Sequence, residues 1–161
     1  MTATDHNRHP RVAALLDCFR QVDAGMRDLP IYNDKIAIEA IGFRPFGDDA
    51  LIGVVLTPWF MNLKLLPIAP EPMRMAEIGR LVEVELPAGK RTFVIGGNEV
   101  FGLYRAHSLH SPVLTFTLPG QAQAEARRQL GLLLTSPARQ DAAKQNGSGA
   151  VDRRRLLFGR G

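Results

Sequence analysis

Two imidazoles and two hydroxyls crowd the five residues His107–Ser111, HSLHS. An imidazole beside a hydroxyl is the pairing that activates a serine, and closely spaced imidazoles are the beginning of a zinc site. Neither chemistry is completed. No G-x-S-x-G pattern surrounds Ser108 or Ser111, so no nucleophile elbow is expected. On a regular strand, the spacing of three puts His107 and His110 on opposite faces, and no third ligand accompanies them. Gly96-Gly97 lacks the spacing of a phosphate loop and reads as a hairpin turn. Asp48-Asp49 reads as a turn, and Glu83 with Glu85 as the solvated face of a strand. Cys18 is the one cysteine, which excludes an internal disulfide and a Cys-x-x-Cys metal site. It lies beside an apolar helical stripe with no base to activate it, the setting of a buried, inert thiol. These residues predict neither catalysis nor a bound metal or cofactor.

Two other stretches carry more information. Leu56–Leu66, LTPWFMNLKLL, contains the single tryptophan, Trp59, next to Pro58, Phe60 and Met61. It follows Leu51–Val55, and a strand apolar on both faces is normally covered on both faces. Pro58 cannot donate to a sheet ladder, so an edge, a bulge or a bend is expected there. An aromatic, a thioether and leucines at such a break would either anchor the core or line an adaptable apolar groove. The second stretch closes the chain. Arg153-Arg154-Arg155-Leu156-Leu157-Phe158-Gly159 follows residues 138–150, ARQDAAKQNGSGA, which have almost nothing to bury and read as a linker. Apolar residues at the end of such a linker either dock on the body or contact a partner.

Composition sets the frame. A chain of 161 residues, 45% hydrophobic and 22% charged, suits one soluble domain with appendages. No run of about 18 apolar residues suggests a membrane span, and MTATDHNRHPR carries no secretory segment, so a cytoplasmic location is expected. From Ala138 onward, six Lys/Arg less two Asp/Glu give +4, the whole formal net charge. The remaining 14 basic and 14 acidic residues cancel. The body is therefore neutral, which argues against nucleic-acid binding despite a pI near 9.7.

The elements follow from periodicity. Residues 1–9 read as a flexible lead-in, and residues 10–137 as the folded domain. Pro10 opens a helix whose apolar stripe is Val12, Leu15, Leu16, Phe19, Val22 and Met26, ended by Gly25 and Leu29-Pro30. Ile36–Phe43, Leu51–Leu56 and Asn62–Leu66 are expected strands, and Met73–Leu81 a short helix. Val82-Glu83-Val84-Glu85-Leu86 alternates as a strand with one wet face. Pro87–Lys90 turns it into Thr92–Ile95, and Gly96–Glu99 turns the chain into Val100–Leu109. Val113–Leu118 would be an edge strand, and Gln121–Thr135 a second long helix. Helices at both ends with no βαβ alternation predict an α+β two-layer sandwich. Its antiparallel sheet would have about five to six strands and be followed by a flexible C-terminal tail, residues 138–161.

Three pieces resemble a known family: TPWFMNLKLLP at Thr57–Pro67, LPAGKRTFVIG at Leu86–Gly96 and RRRLLFGR at Arg153–Arg160. EAIGFRPF at Glu39–Phe46 is similar to the segment preceding the TPW strand there. In order and spacing they resemble the HybE/HupJ family, assembly chaperones for membrane-bound [NiFe] hydrogenases, over nearly the whole chain. The resemblance implies a cytoplasmic factor that binds the hydrogenase small-subunit precursor, including its twin-arginine signal peptide, and holds it back from export. It also implies contacts with the large subunit and with other hydrogenase accessory proteins. Some relatives carry a rubredoxin-like module; a chain with one cysteine has no iron site of that kind.

A signal peptide presents a basic start followed by an apolar segment, so its reader needs an apolar groove and carboxylates. Thr57, Pro58, Trp59, Phe60, Met61 and Leu63 are expected to form the groove, with Glu83 and Glu85 facing the arginines. Arg153, Arg154, Arg155, Leu156, Leu157, Phe158 and Gly159 would cover it or grip a second subunit. A generic peptide-binding module is the alternative, followed by a nucleic-acid binder that uses the arginine run as a phosphate clamp.

Overall fold

The computed structural model describes residues 5–138. A single 3-10 turn over His6–Arg8 precedes α1, Pro10–Met26. The strands are β1 (Glu39–Phe46), β2 (Ala50–Thr57), β3 (Phe60–Pro67), β4 (Leu81–Leu86), β5 (Gly89–Asn98) and β6 (Gly102–His110), followed by α2 (Pro119–Leu133). Local chemistry sets the helix starts. Pro10 occupies the first turn of α1, where a missing N–H costs nothing, and His9 Nδ1 accepts from Arg11 N at 3.1 Å. Gln121 Oε1 accepts from Leu118 N at 3.2 Å and Thr117 N at 2.8 Å, satisfying donors at the start of α2.

All neighbouring strands are antiparallel, in the order β1-β2-β3-β6-β5-β4. The α+β sandwich expected from the sequence is present, with its helices divided between the two sheet faces. Ile52, Val54 and Leu56 of β2 and Met61, Leu63 and Leu65 of β3 face Ala122, Ala126, Leu130 and Leu133 of α2. The alternate residues Leu51, Val55 and Leu66 face Val12, Leu15 and Leu16 of α1. Pleating thus accounts for the continuous apolar runs of β2 and β3: each strand is covered on both faces. Burying one such side chain contributes about 2 kcal/mol, so the two strands and two helices hold one another in place. On the α1 side the cover stops short of β4 and β5, where Leu81, Glu83, Glu85, Thr92 and Val94 are exposed.

Four expectations are corrected. Met73–Leu81 is not a helix: residues 75–79 form turns, and Leu81 already belongs to β4. The amides of Glu77, Ile78 and Arg80 close local turns onto Arg74, Met75 and Glu77, and the segment's end is fixed to β5, where Gly79 N donates to Ile95 O at 2.8 Å and Ile95 N to Arg80 O at 2.9 Å. Val113–Leu118 joins no strand, because the carbonyls of Val113 and Phe116 accept from the side chain of Asn33 at 2.9 and 2.8 Å. Gly96-Gly97 is not the turn but the end of β5, and the reversal lies at Glu99–Phe101. Glycine is required at Gly97 by a φ of +155° and by the Gly102 carbonyl, which a side chain would strike. Last, His107 and His110 share the α2 side of the sheet. Met61 pairs with His110 and Asn62 with Ser108, leaving Leu109 as an inserted residue that reverses the alternation.

Candidate functional site

The TPWF motif is the two-residue tip joining β2 to β3, which pair from Thr57 opposite Phe60 onward. Thr57, fully buried, accepts through Oγ1 from Trp59 N at 3.2 Å and Phe60 N at 3.0 Å. Pro58, which lacks the donor, offers its carbonyl to Asn33 N at 2.8 Å. Trp59 stacks on Tyr32 at 6.3 Å and meets the edge of Phe60 at 6.0 Å, while Phe60 meets Phe19 of α1 at 5.2 Å. The motif clamps the loop after α1 to the sheet. Thr57, Pro58, Trp59, Met61 and Leu63 are buried and Phe60 is half-buried, so among the described residues they pack into the core and do not line an open groove; Trp59 is 8% exposed.

An open groove does lie next to this clamp. A cavity of about 690 Å³ runs between Arg27–Lys35 and Leu114–Thr117, with Tyr32 and Phe116 in its wall and Leu114 half exposed. Its charged groups are Arg27, Asp34 and Lys35. Asp23 accepts from Tyr32 Oη and from Arg27 Nε, both at 2.9 Å, which fixes that wall. The sequence places Leu114 and Phe116 in an expected edge strand and Tyr32 in a connection, so none of the three stood out as a site residue.

Lys64 escaped the reading as well. It lies on β3 facing α1, is 2% exposed, and its Nζ sits 4.2 Å from the centre of the Tyr104 ring, 4.8 Å from Phe60 and 5.0 Å from Phe19. Among the described residues no carboxylate pairs with it. The rings favour the ammonium by about 1–2 kcal/mol each when desolvated, whereas burying a charge costs several times that. Burial wins, and the Lys64 pKa falls to about 7. A lysine inside a strand that is apolar on both faces was the available signal.

The HSLHS histidines are separately engaged. His107 Nδ1 donates to Thr92 O at 2.8 Å and its ring lies over Phe93, while His110 Nε2 donates to Glu125 of α2 at 3.0 Å. Ser108 is exposed. Among the described residues, no group of His, Cys, Asp and Glu is arranged to hold a metal ion.

Glu83 and Glu85 are exposed on β4, and β4 ends the sheet. Strand order separates β4 from β3 by β6 and β5, a lateral distance of about 14 Å. These carboxylates are therefore not gathered with the Trp59 tip into one site. Arg153–Gly159 lie outside the described residues. The described chain ends near β4, since Leu133 O at the end of α2 accepts from Ala88 N in the β4–β5 turn at 3.2 Å.

Comparison with known proteins identifies the scaffold. The sequence profile of the family described as "[NiFe]-hydrogenase assembly, chaperone, HybE" matches residues 10–159. The chain belongs to this family. It is 34% identical over 148 residues to the hydrogenase expression/formation protein HupJ of Bradyrhizobium diazoefficiens, covering 90% of this chain and 85% of that one. It is 38% identical over 118 residues to the probable rubredoxin HupJ of Rhodobacter capsulatus, 73% of this chain but 42% of that one. The solution structure of HybE from Escherichia coli superimposes with a TM-score of 0.60 at 22% identity, over 79% of this chain and 78% of the other, and shares the fold. Membership places the chain among [NiFe]-hydrogenase assembly chaperones. Among the described residues no helix is long and apolar enough to cross a membrane.

Proposed function

We propose that this HybE-family protein holds the precursor of a [NiFe]-hydrogenase small subunit in the cytoplasm by binding its twin-arginine signal peptide, with the large subunit as a second client. The reading rests on the outer edge of β4, which pairs with no strand among the described residues. A terminal strand presents unpaired amides and carbonyls, and an extended peptide can add to it as a further strand. Glu83 and Glu85 line that edge and complement an arginine pair, while Leu81, 71% exposed, offers a contact for the apolar residues that follow. Main-chain pairing tolerates varied side chains, which suits a transient holder of a precursor.

A second reading is favoured by the groove beside Tyr32: its volume fits an apolar peptide segment, and Leu114 stands half exposed at its rim. One experiment separates the two. Fluorescence anisotropy with a synthetic twin-arginine signal peptide, on proteins that all carry Arg153→Ala/Arg154→Ala/Arg155→Ala so that the chain's own arginines do not compete, should show the charge reversal Glu83→Lys/Glu85→Lys weakening binding about tenfold, as expected when like charges replace opposite ones. Leu114→Glu should leave it unchanged. Wild-type affinity in the charge-reversed protein with loss in Leu114→Glu moves recognition to the groove, and unchanged affinity in both refutes the two readings together.

A further inference from the structure

The chain ends in a segment with the same order of chemistry as the proposed client: a run of arginines, Arg153–Arg155, followed by Leu156-Leu157-Phe158. We infer that this segment is the protein's own ligand for the β4 edge, pairing antiparallel to β4 and occupying the client site until a subunit precursor displaces it. The inference rests on the reading of β4 as the client site.

Three observations carry it. The first is where the segment starts. Leu133 is hydrogen-bonded to Ala88 in the β4–β5 turn, so the chain leaves the described fold beside the end of β4. Fourteen residues, 139–152, connect Ala138 to Arg153. Fourteen residues can span at most about 46 Å when extended, more than twice the length of a six-residue strand, about 20 Å. Every position on the edge is within reach.

The second is register. On β4 the side chains of Leu81, Glu83 and Glu85 share the outward face, opposite Val94, Thr92 and Lys90 of β5, while Val82 and Val84 turn to the core. In a strand formed by the tail, Arg153, Arg155 and Leu157 would share one face by the same alternation. Antiparallel pairing that starts from the turn sets Arg153 against Glu85, Arg155 against Glu83 and Leu157 against the exposed Leu81. The same register puts Leu156 next to half-buried Val82. Opposite charges and apolar pairs directly across an antiparallel ladder are the favourable combinations.

The third is charge. The body of the protein is neutral and the tail holds the whole excess of +4. Neither Glu83 nor Glu85 forms an ion pair among the described residues. Lys90 stands across from Glu85, but Glu83 faces only Thr92. An arginine run tethered next to two such carboxylates has an effective concentration in the millimolar range, enough to populate a weak contact.

Hydrogen–deuterium exchange on the full-length protein tests docking directly. The β4 amides that point away from β5 should exchange about tenfold more slowly in the wild type than in Arg153→Glu/Arg154→Glu/Arg155→Glu or in Glu83→Lys/Glu85→Lys. Combining the two sets of reversals should restore slow exchange, which a general loss of structure would not do. All altered side chains are either exposed or beyond the described fold. Equal exchange in the wild type and both single sets overturns the inference, and so does protection that grows with protein concentration, which would mean a second copy supplies the strand. If the tail fills the site in nine molecules of ten, the arginine-reversed protein binds the synthetic signal peptide about tenfold tighter. Protection with no gain in peptide affinity supports docking and moves the client site away from β4. Peptide binding at β4 with equal exchange throughout keeps the client site and removes the docked tail.

Discussion

Replacing Lys64 by methionine should remove most of the pH dependence of stability between neutral and mildly alkaline conditions. In the unfolded chain the amine has its ordinary pKa near 10.5; in the fold, burial lowers it to about 7. Below about pH 7 both states carry the proton, and the full cost of burying the ammonium is present. Between about 7 and 10.5 the unfolded state binds the extra proton, so stability rises with pH by up to about 1.4 kcal/mol per unit, or roughly 2 kcal/mol from pH 7 to 9. The window closes near pH 10, where Tyr104, its hydroxyl pKa raised by burial, contributes the opposite slope. Methionine keeps the unbranched length and a sulfur that packs well against Phe19, Phe60 and Tyr104. Urea unfolding followed by the fluorescence of Trp59, the single tryptophan, measures both proteins from pH 6 to 9. The wild type should gain stability across the range, the variant should stay level, and at pH 6 the variant should be the more stable by a few kcal/mol. Parallel pH profiles for the two proteins would show that Lys64 does not titrate in this window, and the argument from its burial would fall.

Other consequences can be tested in the same way. Trp59→Ala should cost about 3–4 kcal/mol, because the ring is buried between Tyr32 and Phe60; a loss below about 1 kcal/mol in denaturant melts would contradict its anchoring role. Gly97→Ala should destabilise by 3 kcal/mol or more, since it combines an unfavourable φ with a collision against the Gly102 backbone, and near-neutral behaviour would refute that geometry. Glu125 is held at a pKa of about 2 by hydrogen bonds from Arg128 and then His110. A depressed carboxylate contributes stability above its unfolded value and loses it as the pH falls from about 4.5 towards 2. Glu125→Gln should therefore flatten the acid limb of the stability profile and cost about 1 kcal/mol at pH 7, and an unaltered acid limb would oppose this.

Much of the scaffold was legible because burial imposes periods. The stripe from Val12 to Phe19 gave α1, the double-sided runs of β2 and β3 required cover on both faces, and the alternation Val82–Leu86 gave a strand with one wet face. The errors came where a partner distant in sequence decides a residue's fate. Val113–Leu118 is pinned by Asn33, 80 residues away, and the segment before β4 by Ile95. The inserted Leu109 moved His110 to the face of His107, which spacing alone could not reveal. Trp59 stood out in the sequence, but its neighbours gave no means of deciding between groove and core. Tyr32 decides it, from a loop with no pattern of its own. Lys64 was hidden for a similar reason: its cage is assembled from α1, β3 and β6.

The buried Asn33 has a consequence for how the molecule moves. Its amide N–H groups reach Val113 O and Phe116 O, its side-chain oxygen accepts from Lys35 N at 3.1 Å, and its backbone N–H meets Pro58 O. The loop after α1, the β2–β3 tip and the segment after β6 are therefore fastened by one residue, through its side chain and its backbone N–H, and behave as one latch. The two walls of the neighbouring groove cannot drift independently, because releasing either one breaks bonds made by the same residue. Opening there should be all-or-none, with Tyr32 and Phe116 becoming accessible in a single event.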